Sequence, residues 1–350
     1  MKYKRFGNTG LLVSEVALGS MTFGGRGAYG AIGQLQQKEA NELVKMALDS
    51  GINIIDTANV YGAGMSETIV GQALKDLEVD RESVVVATKV FGPMGKGPNY
   101  SGLSKKHILA QVEKSLDRLQ LDYIDIYQIH NEDPVTPIEE TLDALDDLVR
   151  GGLVRYIGVS NNHAWRIMKA LGISSARGLA RFESVQAYYT VVGRDLEREI
   201  IPLINEEKMG LLVWSPLAGG FLSGKFRRGA EKPEGARRSQ FDFPPIDREL
   251  AFRAVDLMEA IGKERDATVA QVALAWLLAK PPVTSVILGA RRPEQLKADI
   301  DATQVKLTAD DISRLDAVAP PKPEYPSWIN RSEDKDRRAY LAGKEPASPW

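Results

Sequence analysis

Short apolar runs alternate with longer stretches of helical periodicity along most of the chain, and that rhythm predicts its architecture. Lys2–Phe6 and Leu11–Val13 flank the turn-forming Gly7-Asn-Thr-Gly10 and predict a small β-hairpin lying under the main fold. Val16–Gly19 predicts a first buried strand. Lys38–Ser50 predicts a helix with Leu43, Met46, Ala47 and Leu48 on its apolar side and Gly51 as its stop. In Ile52–Asp56, the second strand, Ile52, Ile54 and Ile55 suit burial on both faces, as in parallel sheets flanked by helices. Glu67–Leu77 reads as helix and Ser83–Lys89 as a third strand, while Ile108, Val112, Leu116 and Leu119 mark one face of the next helix. Tyr123–His130 makes a fourth strand. Thr136-Pro-Ile-Glu139 has the form of a capping box with proline at the first helical position, opening a helix that Gly151 closes.

Val154–Ser160, Phe182–Gln186, Leu211–Trp214 and Ser285–Leu288 bring the strands to eight, each separated from the next by helical sequence. That alternation predicts the α/β class and a (β/α)8 TIM barrel with an N-terminal hairpin and extra helices. Two of those helices, Arg248–Arg265 and Thr268–Ala279, fall between strands seven and eight, and another, Ala309–Ala319, follows the box-like cap Thr308-Ala-Asp-Asp311. An open doubly wound sheet fits less well, because Gly19-Ser-Met-Thr-Phe-Gly24 after the first strand lacks G-x-G-x-x-G. No repeat or linker divides the chain, so 1–350 reads as one domain, its core over about 3–320 and a polar tail over about 320–350. Within the tail, Tyr325-Pro-Ser-Trp328 is the part expected to dock. Ala230–Pro245, rich in Arg, Gly and Pro, is expected to be a mobile loop.

Charge and composition narrow the chemistry. Net charge is −2 over 350 residues, with no long block of one sign, so no footprint for nucleic acid or membrane is present and a small-molecule partner is expected. The absence of cysteine excludes thiol catalysis, disulfides and thiolate metal sites, and three histidines are too few for an imidazole cage. No metal is expected. No apolar run approaches the ~18 residues of a membrane span and the start of the chain lacks a signal-peptide core, so a cytoplasmic protein is expected. His107 and His163, on or beside helices, read as structural.

Parallel barrel strands all end on one rim, which places Asp56, Lys89 and His130, closing strands two, three and four, side by side, with Tyr61 reaching over them. Asp56 and Tyr61 alone are open to two readings, a buried cap with a packed ring or a proton-transfer pair. A phenol of pKa ~10 is a poor acid, but an adjacent ammonium favours the phenolate and lowers that value. Lys89 would supply the charge, Asp56 would hold Lys89, and His130 would hydrogen-bond a substrate oxygen. Such a group suits protonation of a nascent alkoxide.

Those four residues match, in order and strand position, the catalytic tetrad of the aldo-keto reductase superfamily. Asp56-Thr-Ala-Asn-Val-Tyr-Gly-Ala-Gly-Met-Ser-Glu67 resembles its strand-two signature and Gly152-Leu-Val-Arg-Tyr-Ile-Gly-Val-Ser-Asn161 its strand-five signature. The resemblance spans about residues 3–320. It implies reversible, NADPH-dependent reduction of an aldehyde or ketone to an alcohol by direct hydride transfer, with Tyr61 as general acid and NADH less favoured. It also implies an alternative, a nucleotide-binding, redox-sensing regulatory subunit like the potassium-channel β subunits of the superfamily.

The cofactor contacts implied by the same resemblance run along the later strand ends. Ser160, Asn161 and Gln186 correspond to residues that hold the nicotinamide carboxamide, although helix capping and a buried amide explain them equally well in isolation. Trp214 replaces the tyrosine that many relatives stack on the nicotinamide. Ser215, Leu217, Gly219 and Lys225 lie in a stretch that resembles the loop over the pyrophosphate. Gly219–Lys225 also fits G-x-x-x-x-G-K, but Phe226 stands where a P-loop needs Ser or Thr, which removes a nucleotide-hydrolase reading. Gly289, Arg291, Gln295 and Asp299 resemble the adenosine-phosphate arm, with Arg291 near the 2′-phosphate, or Arg291 and Arg292 simply begin a solvated helix. Tyr29, Phe91, Asn131 and Gly92–Pro98 are expected to wall the substrate pocket.

Overall fold

The structure, a computed structural model, describes residues 1–26, 30, 32–229 and 236–329. A two-stranded antiparallel hairpin, β1 (Tyr3–Arg5) and β2 (Leu12–Ser14), precedes eight strands: β3 (Val16–Gly19), β4 (Ile54–Asp56), β5 (Val85–Val90), β6 (Ile124–Ile129), β7 (Val154–Ser160), β8 (Phe182–Tyr188), β9 (Gly210–Trp214) and β10 (Val283–Leu288). These eight pair in parallel, in sequence order, and β10 returns to β3 to close the barrel. Between and after them lie α1 (Gln37–Asp49), α2 (Met65–Asp76), α3 (Lys105–Leu119), α4 (Ile138–Arg150), α5 (Ala164–Arg177), α6 (Ile200–Glu206), α7 (Arg237–Gln240), α8 (Arg248–Arg265), α9 (Val269–Leu278), α10 (Pro293–Ile300) and α11 (Ala309–Asp316). The TIM barrel expected from the apolar rhythm is therefore the observed fold.

Two apolar layers hold it. The outward side chains of the strands, such as Val86, Tyr127 and Val159, pack against the helix ring, while Ala17, Ile54, Ala87, Ile126 and Leu212 fill the barrel interior. Phe6 and Val13 of the hairpin are fully buried against that inner cluster, so β1 and β2 plug one end of the barrel. Gly7 makes this approach possible: its φ is +57°, and a Cβ there would sit 2.2 Å from the Glu183 carbonyl oxygen.

Local expectations differ in places. Thr136 does not cap α4 in the capping-box sense, because Pro137 is the N-cap residue and the Thr136 hydroxyl donates to Asp133 instead, at 2.8 Å. Asp133 also accepts from the backbone of Leu103, Val135 and Thr136, so the stronger acceptor organises the turn. The box at Thr308 and Asp311 forms as expected. Tyr325 and Trp328 do not dock: their rings stay 77% and 54% exposed, and the tail instead meets the barrel through Arg198, which contacts Glu324 and the Lys322 carbonyl. Of the loop expected to be mobile, residues 230–235 lie outside the described residues, and 236–245 is pinned by Arg238, which is 4% exposed. Among the described residues no helix is long and apolar enough to cross a membrane.

Candidate active site

All strands end on one rim, and there a cavity of about 690 Å³ opens. Asp56 closes β4, its backbone paired with Gly19 and Ala87 on either side, and its side chain is almost fully buried. Lys89, on β5, is 0% exposed, and its ammonium donates to Asp56 Oδ1 at 2.5 Å and to the Thr57 carbonyl at 2.7 Å. A buried ammonium without such partners would be strongly unfavourable; here a carboxylate and a carbonyl accept from it.

The chain then turns sharply to present Tyr61. Gly62 has φ +57°, and a Cβ there would lie 2.1 Å from the Gly24 carbonyl oxygen, so this position requires glycine. The Tyr61 ring stands with its centroid 5.2 Å from Lys89 Nζ and 5.7 Å from the His130 ring, edge to face with the latter. Behind the turn, Glu67 of α2 is buried and held by Arg118 and the Thr88 hydroxyl, which fixes the start of α2 against α3 and β5.

His130 closes β6. Burial, and then the Lys89 charge, depress its pKa to about 3, so the imidazole is neutral at physiological pH and suits hydrogen bonding to an oxygen rather than charge donation. The depressed value has a consequence for stability. Above the unfolded pKa of ~6.5 both states are unprotonated and the contribution is fully present; as pH falls toward about 3 the unfolded chain takes up a proton that the native state refuses, and stability is lost. Urea unfolding at pH 7.5 and pH 5 is expected to show a larger loss for the native protein than for His130→Asn. Equal losses would mean that His130 titrates normally.

The remaining expected site residues gather along the same cavity: Ser160, Asn161, Gln186, Trp214, Ser215, Leu217, Gly219, Lys225, Gly289, Arg291, Gln295 and Asp299 all line it, as do Phe91 and Asn131. Tyr29 lies outside the described residues, and of the Gly92–Pro98 stretch Gly92 and Pro93 reach the wall. Arg291 lines the cavity; its neighbour Arg292 is the exposed N-cap residue of α10. Asp299, buried on α10, has its pKa raised to about 7 by burial, with the Lys225 charge acting in the opposite direction. His163 is the N-cap residue of α5 and bonds Glu132, while His107 is buried on α3; neither lines the cavity.

Several features of this rim were not anticipated. The Gln186 amide donates to Asp56 Oδ2 at 2.8 Å and to Gln128 Oε1 at 3.3 Å, and Gln128 itself donates to Asp56 Oδ2 at 3.3 Å. The carboxylate is thus held by Lys89 on one oxygen and by two amides on the other. Gln128 alternates inward on β6 two residues before His130, and a period-two count along that strand would have found it. Asn161 bridges the His130 carbonyl and the Trp214 indole, at 2.9 and 3.1 Å. Asn161 and Ser215, which follow β7 and β9, have φ of +53° and +51°, in the left-handed region that turns the chain away from the strand ends.

Comparison with known proteins agrees with this geometry. The family described as "Aldo/keto reductase family" matches residues 15–320. This chain is an aldo-keto reductase family member. Among its relatives is the "probable voltage-gated potassium channel subunit beta" of Oryza sativa subsp. japonica, 36% identical over 332 residues, which cover 93% of this chain and 98% of the relative. An uncharacterised oxidoreductase of Bacillus subtilis is 36% identical over 340 residues, 94% and 100% of the two chains. The versiconal hemiacetal acetate reductase of Aspergillus parasiticus is 34% identical over 353 residues, 93% and 99%. Family membership and these relatives support a carbonyl-reducing oxidoreductase.

Proposed function

We propose that the protein reversibly reduces an aldehyde or ketone to the alcohol with NADPH, Tyr61 serving as the general acid. The observation that carries this reading is the buried Lys89–Asp56 pair set beside the Tyr61 ring at one end of a cavity whose lining also includes Lys225 and Arg291.

The residues present suit a dinucleotide. Amides (Asn161, Gln186) and an indole (Trp214) offer hydrogen bonds and a flat surface for a nicotinamide near the tetrad. The loop after β9 supplies Gly219 and Gly220, whose φ of +66° and +91° bare the backbone for a pyrophosphate, with Lys225 close in sequence. Arg291, beside the start of α10, suits the 2′-phosphate of NADPH. When bound, the reduced nicotinamide supplies the hydride to the carbonyl carbon.

Tyr61 delivers the balancing proton to the carbonyl oxygen. Lys89 stabilises the phenolate left behind, and Asp56, anchored by Gln186 and Gln128, keeps that ammonium in place. Neutral His130 orients the carbonyl oxygen by hydrogen bonding. The same groups run the reverse direction, since the phenolate then accepts the proton.

Nucleotide choice is tested at Arg291. Arg291→Ala is expected to weaken NADPH binding by about 1.5–3 kcal/mol, the usual worth of a charged hydrogen bond, with little change for NADH. Titration of both nucleotides checks this; equal losses would assign Arg291 to the fold or the pyrophosphate. The likeness to the potassium-channel β subunit supports a second reading, a regulatory protein that retains its nucleotide. Sustained turnover of a carbonyl with NADPH separates the two.

A further inference from the structure

One side of α3 is polar and still buried. Ile108, Val112 and Leu119 supply its apolar contacts, but the buried His107, Gln111 and Ser115, four residues apart, continue into Arg118 as a second stripe along the helix. Buried polar side chains persist where they have partners. Gln111 and Arg118 find theirs on the segment that carries Tyr61, and Ser115 supports Arg118. None of the stripe lines the cavity.

That segment is anchored on both sides of the phenol. Two residues before Tyr61, the Asn59 amide donates to Gln111 Oε1 at 3.3 Å, while the Asn59 backbone N–H donates to the Lys89 carbonyl at 3.2 Å. Six residues after Tyr61, Glu67 accepts from Arg118 Nε at 2.7 Å and from the Thr88 hydroxyl at 2.5 Å, and Ser115 accepts from the same guanidinium at 3.2 Å. Thr88 directly precedes Lys89 on β5. Each anchor therefore reaches α3 on one side and the lysine's own strand on the other.

Between the anchors, Gly62, Ala63 and Gly64 hold φ of +57°, +55° and +96°, three successive left-handed residues of which one carries a side chain. Such backbone persists only where its surroundings dictate it. The Arg118 stem lies across the end of this turn, for a Cβ on Gly64 would stand 2.7 Å from Arg118 Cδ.

We propose, on the reductase reading above, that Gln111, Glu67 and Arg118 are positioning residues, a brace from α3 that holds the Tyr61 phenol at a set distance from Lys89. The ring centroid stands 5.2 Å from the ammonium, and the influence of that charge on the phenol falls with distance. A slack turn would leave all four rim residues present and the acid weaker, since displacing a reacting group by about 1 Å costs up to ~10²-fold in rate.

The test reads the phenol directly. Phenolate absorbance is titrated with pH in the native protein, in Gln111→Leu, in Arg118→Lys and in the double variant Glu67→Gln with Arg118→Met, which leaves no orphaned buried charge to unfold it. Each is paired with its Tyr61→Phe counterpart, so that the difference isolates one tyrosine among eleven. Reduction of 4-nitrobenzaldehyde and of methylglyoxal with NADPH, nucleotide affinity and thermal unfolding are measured alongside. Native Tyr61 is expected to titrate below the ~10 of a free phenol. In Gln111→Leu and the double variant it should titrate at least about half a unit higher than in the native protein, with kcat down about tenfold and NADPH affinity within about twofold. Arg118→Lys, whose ammonium still reaches Glu67, should keep kcat within about threefold of native. A lowered unfolding midpoint with unchanged titration and kcat would make the brace structural alone and overturn the proposal. Equal losses of kcat and NADPH affinity without a shift in the titration would overturn it too, and both outcomes leave the reductase reading intact. A native protein inert toward both carbonyls would overturn the reductase reading, whereas the titration would still decide whether α3 holds the phenol beside Lys89.

Discussion

Replacing Tyr61 by Phe is expected to slow carbonyl reduction by at least ~10²-fold, with nucleotide affinity and the unfolding midpoint close to those of the native protein. The change removes one oxygen and nothing else that positions the ring. Phenylalanine retains the edge contact with His130 and the approach to Lys89 at 5.2 Å, and the Gly62 turn that raises the ring is untouched. On the proposed mechanism, what is lost is the proton given to the developing alkoxide, an interaction made only as the reaction proceeds. Steady-state kcat with a carbonyl and NADPH, alongside a nucleotide titration, reads the contrast. A folded Tyr61→Phe protein that turned over near normally would remove Tyr61 as the acid, and the reading of the rim would have to be rebuilt around another donor.

The barrel was legible because most of its strands are buried along their whole length and most of its helices on one face. Val154–Ser160 and Arg248–Arg265 have the limits expected of them, the first a continuous run with turn residues before it, the second capped by Asp247, whose side chain accepts from the Leu250 amide. The gathering of Asp56, Tyr61, Lys89 and His130 was legible for a related reason: strand ends on a parallel barrel are neighbours whatever their separation in sequence. Competing local acceptors were not. Thr136 had two possible partners, and the choice of Asp133 depended on a loop that also brings in Leu103 from thirty residues away. Gln128 was passed over because an amide in a buried strand reads as tolerated polarity until Asp56 is placed across from it. Arg238 shows the same limit from the other side. Its surroundings are charged and proline-rich, as in an exposed loop, yet the Pro244 carbonyl in its own loop and the Ala218 carbonyl in the segment after β9 draw it inside. The docking expected of Tyr325 and Trp328 failed because aromatic content says that rings can be buried, not that a complementary surface exists.

Lys89→Met is expected to abolish turnover as thoroughly as Tyr61→Phe, and, unlike that change, to destabilise the fold. Methionine fills much of the lysine stem's volume, so the cost is electrostatic: Asp56 is left buried without its counter-charge, and breaking one partner of a buried pair typically costs about 3–5 kcal/mol. The amides of Gln186 and Gln128 still donate to Asp56 Oδ2, which places the expected loss toward the lower end of that range. On the proposed mechanism turnover falls for a separate reason, because a Tyr61 phenolate formed during reduction would no longer have an ammonium beside it. The double variant Lys89→Met with Asp56→Asn separates the two effects. Removing the orphaned carboxylate should restore a large part of the unfolding free energy, measured by urea denaturation, and restore no activity, a non-additivity expected only of directly coupled residues. A double variant that recovered turnover along with stability would show that Lys89 acts through the fold alone, and that the charge stabilising the phenolate comes from elsewhere on the rim.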